Sequence, residues 1–182
     1  MGAMKLNARQ LRTTEPDPTA VTRLKKNPVT IVLDNVLDTY NVGSIFRLAD
    51  AVAAKKVYLC GETLTPPNPR IKKASIETWK WVDWQYKENV RQAISELRQA
   101  EPHIAIVAVE QHRKSIPFVR FRPEFPLALI VGNESYGISA GTLALSDKIV
   151  ELPMFGINKS LNVMVCLGIV LYKTVDYLPQ NK

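Results

Sequence analysis

Three stretches of this chain combine polar side chains with glycine in a way that suits ligand chemistry: DNVLDTYNVGSIFR (34–47), VGNESYGIS (131–139) and PMFGINKSLNV (153–163). Each follows an apolar run and leads toward a helical pattern, which places it beyond the C-terminal end of a strand, where open parallel sheets hold their ligands. In the first, Arg47 lies four residues after Gly43 on a helix face that Val42, Ile45 and Ala49 largely avoid, so its guanidinium is presented to solvent. An ion pair with Asp50, three residues on, is the simpler use of that charge. Asn41 suits a helix cap. In the second stretch Asn133 and Glu134 stand between Gly132 and Gly137, more polar chemistry than a plain turn needs. In the third, Asn158 or Ser160 is placed to cap the last helix, whereas Asn162 falls in its first turn and needs a partner if buried. Gly168, inside that helix, reads as a close-packing position.

Two familiar patterns are excluded. GNESYGIS has the glycine spacing of a phosphate-binding loop, but Ile138 stands where that loop needs its lysine. GISAG (137–141) matches the spacing of a serine nucleophile turn, yet both His103 and His112 precede it, where a hydrolase of that design needs a histidine downstream. Ser139 is therefore expected to cap a short helix through Leu145. No G-x-G-x-x-G occurs, so the dinucleotide fingerprint is absent.

The elements that must position these residues alternate. Short β-branched runs predict strands at 30–34, 56–60, 104–109, 127–131 and 148–152, with a weaker one at WVDW (81–84). Helical spacing links Val42 to Val52, an amphipathic pattern covers Val90 to Arg98, and a final helix is expected over about 160–177. Alternation of this kind predicts an α/β fold, a parallel sheet flanked by helices. The chain's 182 residues, 46% of them hydrophobic, suit one domain, and TLTPPNPRIKK (63–73) is the only linker-like stretch. Neither a membrane span nor a secretory leader is indicated, which predicts a cytoplasmic protein. Cys60 and Cys166 sit in apolar segments without paired spacing and read as buried thiols; with no ligand motif at the histidines, no metal is expected. A net charge of +7 favours an anionic partner.

Taken together, the three stretches resemble the signature of the SPOUT superfamily of methyltransferases, in its SpoU/TrmH branch of RNA ribose 2′-O-methyltransferases, over Val29 to Leu178. The first family motif, an asparagine and an arginine six residues later at a helix start, is matched by Asn41 and Arg47. LIVGNESYGIS matches the second and LPMFGINKSLNV the third. The resemblance implies a methyltransferase domain over 29–182, with a C-terminal deep trefoil knot, behind a short basic N-terminal extension over 1–28. It also implies S-adenosylmethionine as cofactor, clasped by Gly132, Asn133 and Glu134 from the second motif and by Leu152, Met154, Gly156, Ser160 and Leu161 from the third. The glycines at 132 and 156 would let the main chain approach the ligand. Arg47, Asn41, Ser160 and Asn162 would form the catalytic set, with Arg47 either taking the ribose proton or orienting the target phosphate. Family likeness further implies a homodimer acting on tRNA or rRNA. Lys5, Arg9 and Arg12, with Arg70, Lys72 and Lys73, are the expected phosphate contacts. Ser75, Ile76 and Glu77 depart from the family, where a small-residue L-G-A stands, so the local contact there is expected to differ. A non-catalytic RNA-binding protein and a base methyltransferase are the alternatives.

Overall fold

The computed structural model describes residues 5–17, 19, 21 and 24–179. A short helix, α1 (Ala8–Thr13), is followed by β1 (Asn27–Asp34), α2 (Thr39–Ala51), β2 (Ala54–Cys60), α3 (Pro69–Ser75), β3 (Trp84–Lys87) and α4 (Val90–Ala100). Then come β4 (Ala105–Val109), β5 (Ile116–Pro117), β6 (Leu127–Val131), α5 (Ala140–Leu143), β7 (Lys148–Glu151) and α6 (Val163–Val175). The strands form one sheet in the order β3-β2-β1-β6-β4-β7-β5, and every pair is parallel.

Strand periodicity sorts the core. Ile31 and Leu33 of β1, with Leu127, Leu129 and Val131 of β6, face a cluster built with Val42, Ile45 and Phe46 of α2 and Leu167 and Val170 of α6. The alternate residues, Val32, Ala128 and Ile130, face Val90, Ile94 and Leu97 of α4 on the other side. Both faces are covered, which is why these strands read as continuous apolar runs rather than as alternating ones.

Several sequence expectations shift. WVDW supplies only the first residue of β3, because Trp84 opens a strand that continues to Lys87. The linker-like stretch holds α3: the Asn68 side chain accepts from the Arg70 and Ile71 amides at 2.9 and 3.3 Å, and Pro69 supplies a φ suited to the first turn. α6 starts at Val163 and its cap is Asn162, not Asn158 or Ser160. Gly43 is buried rather than sharing an open face with Arg47: a Cβ there would lie 2.6 Å from Ala74 Cβ and 2.8 Å from the Ile71 carbonyl oxygen. The first motif's glycine is thus what lets α2 lie against α3. At Gly168 a Cβ would meet Leu48 only at 3.6 Å, an ordinary contact, so close packing does not demand that glycine.

The departure at 75–77 has a backbone signature. Ile76 and Glu77 both adopt left-handed conformations, with φ of 54° and 67°, each costing on the order of 1–3 kcal/mol for a residue with a Cβ. Here the corner is held by the buried Glu77 carboxylate, which pairs with Lys72 at 3.2 Å and Lys80 at 3.7 Å. Lys80 also reaches Glu15 at 2.5 Å, tying the N-terminal segment to the body.

Because the atoms facing Gly43 include backbone, Gly43→Ala is expected to pry α2 from α3 and to cost about 1–3 kcal/mol of stability, read as a lowered urea midpoint with an unchanged m-value.

Candidate active site

The backbone amides between β1 and α2 all find partners, and those partners come from distant segments. Asn35 N–H donates to the Cys60 carbonyl and Val36 N–H to Thr63 Oγ1. The Leu37 and Asp38 amides donate to the two oxygens of Glu134, at 3.1 and 3.0 Å. Asp38 then caps α2 by accepting from Tyr40 N–H at 2.7 Å. With the cap filled by Asp38, Asn41 is free for another task. Its side-chain amide donates to Glu134 Oε1 at 2.9 Å, and its carbonyl oxygen accepts from Asn162 Nδ2 at 3.0 Å. Asn162 Oδ1 in turn accepts from the Met164 and Val165 amides, capping α6. One chain of hydrogen bonds therefore links all three motif stretches, with the buried Asn41 at its centre.

The second stretch is a rigid turn. Asn133 and Gly137 exchange backbone hydrogen bonds at 3.1 and 2.9 Å, and Asn133 Oδ1 accepts from Ser135 and Tyr136 amides. Asn133 Nδ2 donates to the Asn35 carbonyl. Gly137 has φ +66°, and a Cβ on Gly132 would lie 2.4 Å from the carbonyl carbon of Gly137, so Gly132 admits main chain against main chain. Ser139 caps α5, as its spacing predicts, accepting from Thr142 N–H at 3.2 Å.

These segments enclose a cavity of about 500 Å³ beyond the ends of β4, β6 and β7. Gly132, Asn133 and Glu134 line one side; Leu152, Met154, Ser160, Leu161 and Asn162 line another. Gly156 does not line it, and a Cβ there would meet nothing within 4 Å, so its expected close approach is not seen within this chain. Arg47 is exposed and outside the cavity wall, and among the described residues it forms no ion pair. Asp50 instead faces Lys26, so the simple Arg47–Asp50 pair is not formed; burial raises the Asp50 pKa and Lys26 partly offsets this.

Sequence reasoning missed Glu110 and Gln111, which follow β4 and were detectable by the same rule of position after a parallel strand. Glu110 accepts from the Gln111 and Ile138 amides, both at 2.8 Å, and Gln111 Nε2 donates to the Lys159 carbonyl at 2.6 Å, fastening the third stretch to β4. Cys166 also lines the cavity and is only partly buried, contrary to expectation, while Cys60 is fully buried. Burial pushes the Cys60 thiol up to about 12, with Asp34 adding to it.

Among the expected phosphate contacts, Lys5, Arg9, Arg12, Arg70 and Lys73 are exposed; Lys72 is exposed too but is engaged by Glu77. Among the described residues, no helix is long and apolar enough to cross a membrane.

An all-parallel α/β sheet whose post-strand loops are stitched together around a cavity at the strand ends has the architecture of a small-molecule site. Residues 28–172 match the SpoU rRNA methylase family, and the chain belongs to that family. It is 30% identical over 155 residues to a tRNA (guanosine(18)-2′-O)-methyltransferase of Aquifex aeolicus, covering 82% of this chain and 69% of that protein. It is also 30% identical to the 23S rRNA (guanosine-2′-O-)-methyltransferase RlmB of Ralstonia nicotianae, covering 81% of this chain and 58% of the relative. The SpoU methyltransferase AviRb of Streptomyces viridochromogenes, solved in complex with the cofactor AdoMet, superposes with a TM-score of 0.74 at 25% identity, over 84% of this chain and 58% of that one. The chain thus spans less than two thirds of the length of some of these relatives.

Burial works to raise the Glu134 pKa, but the hydrogen bonds from Asn41 and from the Leu37 and Asp38 amides outweigh it and hold the carboxylate below its ordinary range. A carboxylate so depressed stabilises the fold fully above about pH 4.3, and that contribution fades as pH falls through its folded-state pKa. Glu134→Gln, which turns an amide donor toward one of the two backbone donors, is expected to lower the thermal midpoint at neutral pH. The gap to the parent chain should narrow as pH falls toward about 3, followed by circular dichroism.

Proposed function

We propose that this chain is an S-adenosylmethionine-dependent methyltransferase that acts on a ribose 2′-hydroxyl of tRNA or rRNA. The observation that carries this reading is the Glu134–Asn41–Asn162 hydrogen-bond chain, which ties the first motif stretch to the second and third, the two that wall the cavity. The cavity residues fit the cofactor. Its volume lies in the range of small-molecule sites, Leu152, Met154 and Leu161 give apolar wall, and Glu110 and Glu134 place carboxylates where a cationic donor gains from them. Gly132, Asn133, Ser160 and the main chain of 152–161 would hold it. When bound, this cofactor supplies a methyl group already activated by a sulfonium centre.

The chain's own task is then alignment, because placing reactants in attack geometry can contribute several kcal/mol or more. Ser160 and Asn162, on the cavity wall, would orient the ribose; Asn41 would fix Asn162 from behind. A guanidinium acts as a base only where its surroundings strip its charge. Arg47 stands exposed, which favours the phosphate-orienting role, with the 2′-proton leaving by way of that phosphate.

Threading of the C-terminal part as a trefoil knot belongs to this proposal. It is supported by β4 lying between β6 and β7 in the sheet, so that the chain leaving β6 must pass β4 to form β7. A homodimer is proposed because Val165, Ile169 and Tyr172 form a stripe along α6 that is 38–53% exposed in one chain. A cytoplasmic location is part of the same proposal, supported by the RNA substrates named for the relatives.

Labelled methyl transfer to separated tRNA and rRNA pools, followed by digestion to nucleosides, is expected to yield a 2′-O-methylated nucleoside; label on a base, or none, overturns the reading. Arg47→Ala is expected to lower transfer by at least about a hundredfold while calorimetric S-adenosylmethionine affinity stays within about twofold of the parent. Comparable methylation by that variant would remove Arg47 from the mechanism.

A further inference from the structure

Three large apolar side chains at this site are almost wholly exposed: Tyr136 at 90%, Phe155 at 94% and Ile157 at 103%. They stand on the second and third motif stretches, the two loops that wall the cavity, with Tyr136 and the neighbours Met154 and Asn158 on the lining itself. None of the three joins either core cluster, so they give nothing to the fold. Neither is Tyr136 carried on a loose loop: its amide donates to Asn133 Oδ1 inside a turn closed by the Asn133–Gly137 pair, which fixes the backbone that bears the ring. This differs from the α6 stripe, whose residues are half-covered and lie in a row. Two protruding aromatic rings beside a cavity, with the exposed Lys159 in the same loop and a net charge of +7, match the way unpaired nucleic acid is held. There cations follow the phosphates and rings stack on bases, largely without regard to sequence.

We propose that Tyr136 and Phe155 are a stacking platform for unpaired bases of the RNA, splaying the strand so that a ribose enters the cavity. The proposal rests on the methyltransferase reading above and names how that site takes its substrate. Ile157 has no π face and serves as apolar contact only.

The test is equilibrium binding, to the full chain, of a labelled single-stranded oligoadenylate of about twelve nucleotides and of an abasic ribose-phosphate strand of equal length. Tyr136→Leu and Phe155→Leu keep apolar bulk and lose the ring; each is expected to weaken oligoadenylate binding about tenfold and to leave the abasic strand unchanged. Tyr136→Phe and Phe155→Tyr are expected to bind like the parent. S-adenosylmethionine affinity should be unaltered in the Phe155 variants, whose side chain is off the cavity lining, and sedimentation unaltered in all four. Leucine variants that bind oligoadenylate normally, a parent chain that does not prefer it to the abasic strand, cofactor affinity lost in Phe155→Leu, or a shift in oligomeric state would each overturn the platform; the last would make these rings a contact with a second copy. A parent chain that prefers oligoadenylate yet binds no S-adenosylmethionine would overturn the methyltransferase reading and leave the platform standing.

Discussion

The carboxylate of Glu134 accepts three hydrogen bonds from the segment after β1, and the site depends on that convergence. Loops after parallel strands have no ladder to satisfy their amides, so each must find a partner or face water. Here two successive amides find theirs on a residue 96 or 97 positions away in sequence. Asn41 extends the link to Asn162, and Asn162 passes it into the cap of α6. A residue type that commonly caps the end of its own helix is used here inside one helix to hold the cap of another.

The sheet and its helices serve that junction. β1 and β6 pair in register up to Leu33 and Val131, which brings the first two stretches level with one another. α2 is set by Gly43, whose missing side chain allows α3 to press against it. That contact places the corner at Ile76 and Glu77, with its two left-handed residues, directly behind the helix that bears Asn41 and Arg47. Glu77 also takes Lys72 out of the free cations on α3, leaving Arg70 and Lys73 as its open charges. The corner at 75–77 thus changes the charge offered beside α2.

Much of this was legible in the sequence, and particular residues show why. Leu127 to Val131 is a strand end to end because it is a fully buried run between turn residues, and such runs have few other uses. Ser139 caps as its spacing says, because capping is a local bond. α3 was hidden among prolines, although Asn68 followed by Pro69 is itself a helix-start signal. The role of Asn41 was not legible as a local rule, since Asp38 takes the cap and the partners of Asn41 lie 93 and 121 residues away. Gly43 and Gly156 show the limit of reading glycine by type: one turned out to be a packing position and the other faces open space. Arg47 was correctly placed as exposed, because helix phase alone decides that.

Asn41 does not line the cavity, yet it joins the stretches that do. Calorimetric titration of S-adenosylmethionine into an Asn41→Ala variant is therefore the most direct measurement. Loss of its two side-chain bonds should let the second and third stretches drift apart and weaken cofactor affinity by about tenfold or more, with the fold retained. Affinity equal to that of the parent chain would contradict the account, because the cavity would then be assembled without the link on which it is said to depend.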